Sequence, residues 1–138
     1  MAITSGLCDS FKQELLQGIH AFGTDTIKIA LYNASATLDH TATAYTATNE
    51  CSGAGYTATG QVITASVSLQ SGTGTVDFST PVWSNATITT IGFMIYNSSK
   101  SNRAIAVGSF GATETVSGVT FQVNFPASGA STSIIRIA

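Results

Sequence analysis

The residues able to do chemistry in this chain are few. Nucleophilic catalysis needs a hydroxyl or thiol activated by a base that a third group holds in place. His20 and His40 are the only histidines, and no G-x-S-x-G elbow accompanies them. His20 falls toward the end of an expected helix, where an imidazolium would favour the helix dipole. His40 follows Asp39 in a stretch without periodicity, so a dyad there is the one acid–base candidate. Cys8, Cys51 and the two histidines are potential soft metal ligands, but no pair has C-x-x-C or H-x-x-x-H spacing. A calcium loop needs closely spaced acids, and Asp39, Glu50 and Asp77 stand apart. Gly53-Ala54-Gly55-Tyr56-Thr57-Ala58 matches a dinucleotide-binding pattern by letters. The pattern works only when a helix N-terminus follows to face the pyrophosphate; here Thr59-Gly60 and an expected strand follow. The expectation is therefore no catalytic residue, no metal and no cofactor.

Composition narrows the partners. Charged residues make up 9% of the 138-residue chain and the net charge is −2, against a usual charged share of about 25%. Lys12, Lys28, Lys100, Arg103 and Arg136 are scattered, whereas phosphate backbones need clustered cations, so nucleic acid is not expected as a partner. No apolar run approaches the ~20 residues that cross a bilayer, so no membrane association is expected either. The N-terminal residues lack the basic and long apolar stretches of a secretion signal, which predicts synthesis in the cytoplasm, reduced thiols and no disulfide between Cys8 and Cys51. Polarity comes instead from serine and threonine, about a quarter of the chain. Hydroxyls tolerate burial better than charges, so such a surface suits a protein packed against other protein.

The positioning elements follow from periodicity. Leu7, Phe11 and Leu15, with Cys8 and Ile19, form an apolar stripe at helical spacing. This predicts one helix over about 4–22, capped by Thr4 or Ser5 and ended at Gly23. It packs either on its own core or on a neighbouring subunit, with Phe11, Lys12 and Leu15 as the contact candidates in the second case. From residue 26 the period changes to two, and residues 26–138 are expected to be β-rich. Strands are predicted over 26–33, 61–69, 74–78, 87–96, 103–110, 120–125 and 133–137, separated by Gly- and Ser-rich turns. Between the first two lies an excursion over 34–60, punctuated by Gly53, Gly55 and Gly60, with Tyr45 and Tyr56 among its few large side chains. Long loops in small domains are often functional, so these tyrosines are contact candidates. Tyr45-Thr46-Ala47-Thr48 is echoed by Tyr56-Thr57-Ala58-Thr59, too short for a fold repeat. Trp83, the single tryptophan, either packs in the core or offers a platform for sugar stacking or a contact anchor. Together these features predict one mainly all-β domain spanning 1–138, a β-sandwich or jelly-roll-like fold with one N-terminal amphipathic helix.

The order of several segments is also familiar. Leu7-Cys8-(x)2-Phe11-Lys12-Gln13-Glu14-Leu15-Leu16, then Lys28-Ile29-Ala30-Leu31-Tyr32 and Glu50-Cys51-Ser52-Gly53-Ala54-Gly55-Tyr56, resemble a family of small tailed-bacteriophage virion structural proteins. Trp83-Ser84-Asn85-Ala86-Thr87-Ile88, Ile95-Tyr96-Asn97-Ser98-Ser99-Lys100 and Ile134-Ile135-Arg136-Ile137 extend the resemblance over nearly the whole chain. Cys51 departs from it, standing where a small aliphatic residue is expected. The resemblance implies no catalytic residues and a location in the virion. Within a tailed phage, a small charge-poor β domain suits a capsid decoration, or cement, protein. Such a protein would bind the major capsid protein or other virion proteins as a homo-oligomer, a trimer or dimer. A tail, neck or baseplate component is the first alternative. A carbohydrate- or receptor-binding tip, which would need an exposed aromatic platform, is the second.

Overall fold

The alternation that begins after residue 26 is realised as two antiparallel sheets in a computed structural model, which describes residues 2–138. The strands are β1 (Gly6–Leu7), β2 (Ile27–Tyr32), β3 (Gln61–Ile63), β4 (Ala65–Gln70), β5 (Thr73–Phe78), β6 (Val82–Asn97), β7 (Arg103–Gln122) and β8 (Ile135–Ile137). One sheet runs β1-β7-β6-β2-β3 and the other β4-β5-β8. The chain is thus mainly β with a single short helix, a sandwich-like arrangement.

That helix, α1, covers Asp9–Leu16, eight residues where the stripe predicted nearly twenty. Its N-terminal flank is taken by β1, which pairs Gly6 with Val107 and Leu7 with Ala106. Its end is set by Gly18, whose φ is +74°. The Gly18 N–H donates to the Leu15 carbonyl and the Ile19 N–H to that of Glu14, the two bonds of a Schellman cap. The glycine at 18, not the one at 23, is the stop.

The predicted strand over 61–69 breaks at Thr64, and its halves join different sheets. Ser79 locks the break, donating its N–H to the Thr64 carbonyl at 2.9 Å and accepting the Thr64 N–H on its hydroxyl at 2.8 Å. Conversely, the segment read as 103–110 and the start of that read as 120–125 are one strand, β7, which ends at Gln122. Gly118, which falls in the expected turn between those two segments, sits inside the strand at φ +64°, among register shifts between β6 and β7. These bulges let one long ladder twist without breaking.

β2 is buried on both faces, which explains why its apolar content exceeds simple alternation. One face, with Ile27, Ile29, Leu31, Phe93 and Ile95, meets α1 and the smaller sheet through Phe11, Phe22, Phe78 and Phe125, whose rings contact in series at about 6 Å. The other face, with Ala30, Tyr32, Met94 and Tyr96, lies under the 34–60 excursion. That excursion holds no regular strand but is tied down throughout. Cys51 N–H donates to the Leu31 carbonyl, Thr87 N–H to that of Ala54, and Tyr45 N–H to that of Asn102. Gly60 has φ +79°, and a Cβ there would fall 1.8 Å from the Ile29 carbonyl oxygen; at Gly53 it would fall 2.1 Å from that of Thr87. Only glycine permits these approaches. The excursion is a second wall of the core.

Candidate functional site

The structure gathers three of the six contact candidates. Tyr56 stacks on Trp83 with ring centroids 6.0 Å apart, and Tyr45 stacks on Tyr96 at 4.8 Å. Between the two tyrosines lies Glu50. Its Oε2 accepts the Tyr45 hydroxyl at 2.5 Å, and its Oε1 accepts the Tyr56 hydroxyl at 2.7 Å and the Thr59 N–H at 2.8 Å. The Tyr56 oxygen in turn accepts the Leu31 N–H at 3.0 Å. The other two tyrosines close the layer, Tyr32 donating to the Thr46 carbonyl and Tyr96 to that of Thr59. Burial pushes all four phenols upward, Tyr32, Tyr45 and Tyr56 well above their ordinary range, and the Glu50 charge adds to this. Neither phenolate nor free carboxylate chemistry is offered by groups so occupied. The layer pins the excursion to the sheet.

Trp83 is 2% exposed, packed between Tyr56 and Phe121, so it lies in the core rather than on a platform. Phe11 is likewise buried, against His20 and Phe22. Lys12 is exposed and pairs loosely with Asp9 at 3.5 Å, and Leu15 is half-buried. The side chain that α1 does present is Leu16, 90% exposed, which the stripe did not single out.

His40 turns away from its sequence neighbour Asp39, which is occupied by Thr41. It pairs instead with Asp9, Nδ1 to Oδ2 at 2.7 Å, in the open. Its Nε2 has no partner among the described residues. The thiol nearest in sequence to this pair, Cys8, is fully buried; burial first, then the carboxylates of Asp9, Asp39 and Glu14, push it up to about 11. Cys51, also buried and free, donates to the Thr89 carbonyl at 3.1 Å and is pushed up by burial to about 11. Both thiols stay protonated at neutral pH, the opposite of a nucleophile's requirement.

A second buried polar cluster was not legible at all. His20 lies beyond α1, its side chain wholly buried, donating from Nε2 to Glu14 at 3.1 Å and accepting the Asn97 amide on Nδ1 at 3.1 Å. Asn97 Nδ2 also donates to Asp25 at 2.7 Å while its Oδ1 accepts the Ser99 N–H at 3.0 Å. Arg103 caps the remaining Glu14 oxygen. These bonds orient the His20 ring and fasten α1 to the β6–β7 turn. Glu14, His20, Asn97 and Arg103 are each hydrogen-bonded within the cluster.

Three features remain at the surface. A half-open cleft of about 380 Å³ runs beside β1, lined by Leu7, Phe93, Phe110, Val123, Phe125 and Ile134. The outer half of the β6–β7 hairpin extends past β2, which pairs only with Phe93 and its neighbours over 92–97. The exposed residues of this half include Ser84, Thr87, Thr89, Thr113, Thr115, Ser117 and Thr120, the apolar Val82 and Val119, and a single charge, Glu114. On the smaller sheet, Val67, Leu69 and Ile137 are exposed. No group of three metal-ligating side chains occurs among the described residues, and no helix is long and apolar enough to cross a membrane. Comparison with protein-family models, curated proteins and solved structures returned no match.

Proposed function

We propose that this chain is a structural subunit of a tailed-phage virion, and specifically a capsid decoration protein that clamps neighbouring major capsid subunits. The observation that carries the reading is the outgrown β6–β7 hairpin. At 16 and 20 residues, its strands far exceed the usual five or six, and half of their length builds no further sheet. One face of that stretch is buried through Trp83, Ala86, Ile88 and Thr90; the other, nearly uncharged and set with hydroxyls, presents hydrogen-bonding groups and small apolar side chains at low desolvation cost. The sequence resemblance supports the same assignment. The aromatic candidates for a sugar platform are buried or bound to Glu50, which weighs against a carbohydrate-binding tip.

The test is fractionation of purified particles into heads and tails with quantitative mass spectrometry of each. A decoration protein is recovered with heads at a copy number comparable to the major capsid protein. Recovery only with tails, or at a handful of copies per particle, assigns it to the tail or neck and overturns the decoration role.

A further inference from the structure

The molecule leaves several strand edges open, and one differs from the others. β1 offers two residues, β3 and β8 three each, and β8 carries Arg136. The free edge of β7 is long but blunted by Gly111 and Gly118 at positive φ, by register shifts and by Glu114. β4 is six residues, Ala-Ser-Val-Ser-Leu-Gln, regularly paired with β5 from Ala65↔Phe78 to Gln70↔Thr73 and followed by no neighbour on its other side. It has no charge, no proline and no bulge, the devices by which proteins protect an edge from pairing.

The side chains along this edge point to what covers it. Val67 lies opposite Val76, which lies opposite Ile135; Leu69 lies opposite Gly74, which lies opposite Ile137. All six positions share one face of the sheet. Val76 and Ile135 are buried against the larger sheet, but the face runs on past it. Val67, Leu69 and Ile137 are left 64%, 75% and 57% exposed, and Gly74 supplies no side chain to fill the gap between the last two.

We infer that β4 pairs antiparallel with β4 of a second copy of this chain, about a two-fold axis through Ser68. In that register Val67 faces the partner's Leu69 and Leu69 faces the partner's Val67, apolar pairs of the kind that stabilise a ladder. Ser66 and Ser68 meet polar groups on the other face. The charge pattern selects a second copy over other edges of the same molecule: a two-fold at β8 would set Arg136 against itself, whereas at β4 the closest charges, Asp77 and Arg136, lie one and two strands back, roughly 5 and 10 Å from the seam. The product is a continuous six-stranded sheet whose apolar strips adjoin. A six-residue seam alone falls short of the ~800 Å² per partner of a standard interface, so the exposed strip is a necessary part of it. This pairing goes beyond the virion assignment and does not depend on it, since it is a property of the purified chain.

Ser68→Cys tests the register directly. Two-fold-related residues in an antiparallel pair have Cα atoms about 4.5–5.5 Å apart, within disulfide reach, and the native thiols are buried. Mild oxidation of Ser68→Cys is expected to give a covalent dimer that Val62→Cys, on exposed β3, does not give. The double variant Val67→Lys/Leu69→Lys sets lysines opposite each other twice. Introduced into the Ser68→Cys background, it is expected to keep the circular dichroism spectrum, because both sites are on the surface, and to lower cross-linking about tenfold, the equivalent of 1.4 kcal/mol. Cross-linking of Ser68→Cys no greater than that of Val62→Cys, or sedimentation as a monomer at the concentrations used for cross-linking, overturns the inference. So does a dimer indifferent to the double lysine variant. The virion assignment fails separately, on the particle fractionation.

Discussion

Glu50 and the glycines around it decide whether the excursion is a loop or a wall. Removing the carboxylate by Glu50→Ala leaves the Tyr45 and Tyr56 hydroxyls and the Thr59 N–H without an acceptor. A buried donor left unpaired costs about 1–3 kcal/mol, so the urea midpoint should fall by that equivalent, whereas Tyr45→Phe, which removes one donor only, should cost about 1 kcal/mol. Gly60→Ala brings a methyl onto the Ile29 carbonyl and is expected to cost about 2–4 kcal/mol. Gly72→Ala, with φ +83° but open space around it, should cost only the left-handed penalty of about 1 kcal/mol; equal losses at the two sites would contradict the close packing. Cys8 and Cys51 should both resist a thiol reagent at pH 8 until the protein is unfolded. The types of these residues were legible, but their roles were not. Tyr45 and Tyr56 read as contact candidates because a segment without periodicity carries no sign of which side chains turn inward, whereas Trp83 read as core or contact anchor and lies in the core. One signal was present: the Tyr-Thr-Ala-Thr echo brackets Glu50 at five and six residues, and its two tyrosines bind the two oxygens of that carboxylate.

At the scale of elements, the β strands were legible because alternation is a local property, and the Phe121-Val123-Phe125 row follows it, while β2 adds to its Ile27-Ile29-Leu31 row a second buried face. What failed were the ends. The helix was overextended because its stripe continues through Ile19, while the backbone reverses at Gly18; helical spacing does not distinguish a residue in a helix from one just past its cap. The break at Thr64 was invisible because the Ser79 bonds that make it come from 15 residues away. The α1 anchor carries its own prediction. Burial opposes ionisation of Glu14, but hydrogen bonds from Arg103 and His20 outweigh it and hold the carboxyl below its usual range; Asp25, where burial is outweighed by the Ala21 N–H, Asn97 and Lys100, is held low as well. Groups whose folded pKa is lowered stabilise the fold fully above their unfolded value, near 4. That stability is lost as pH falls through the lowered folded values. Stability measured by urea should therefore drop between about pH 5 and 2, and Glu14→Gln should lower it at pH 7 while flattening the drop. A variant with the wild-type acid slope would contradict the anchor.

As a whole molecule, the chain spends its apolar residues on two covered faces of one sheet and then leaves one long hydroxylated face of the β6–β7 hairpin and an unprotected edge in solvent. The hydroxylated face and the open edge add nothing to the core of a lone domain, and both suit a unit that repeats. The proposed virion assignment draws on the order of segments; the hydroxylated face and the open edge, the surfaces it would act through, required the ladder between β6 and β7 and the register of β4. The measurement that bears most directly on the virion assignment is a cryo-electron microscopy reconstruction of the particle encoding this chain. The decoration role predicts density for the fold on the outer head surface, repeated with the capsid lattice and with the β6–β7 hairpin against neighbouring capsid subunits. Density confined to the tail or neck would contradict the decoration role, and density nowhere in the particle would contradict the virion assignment itself.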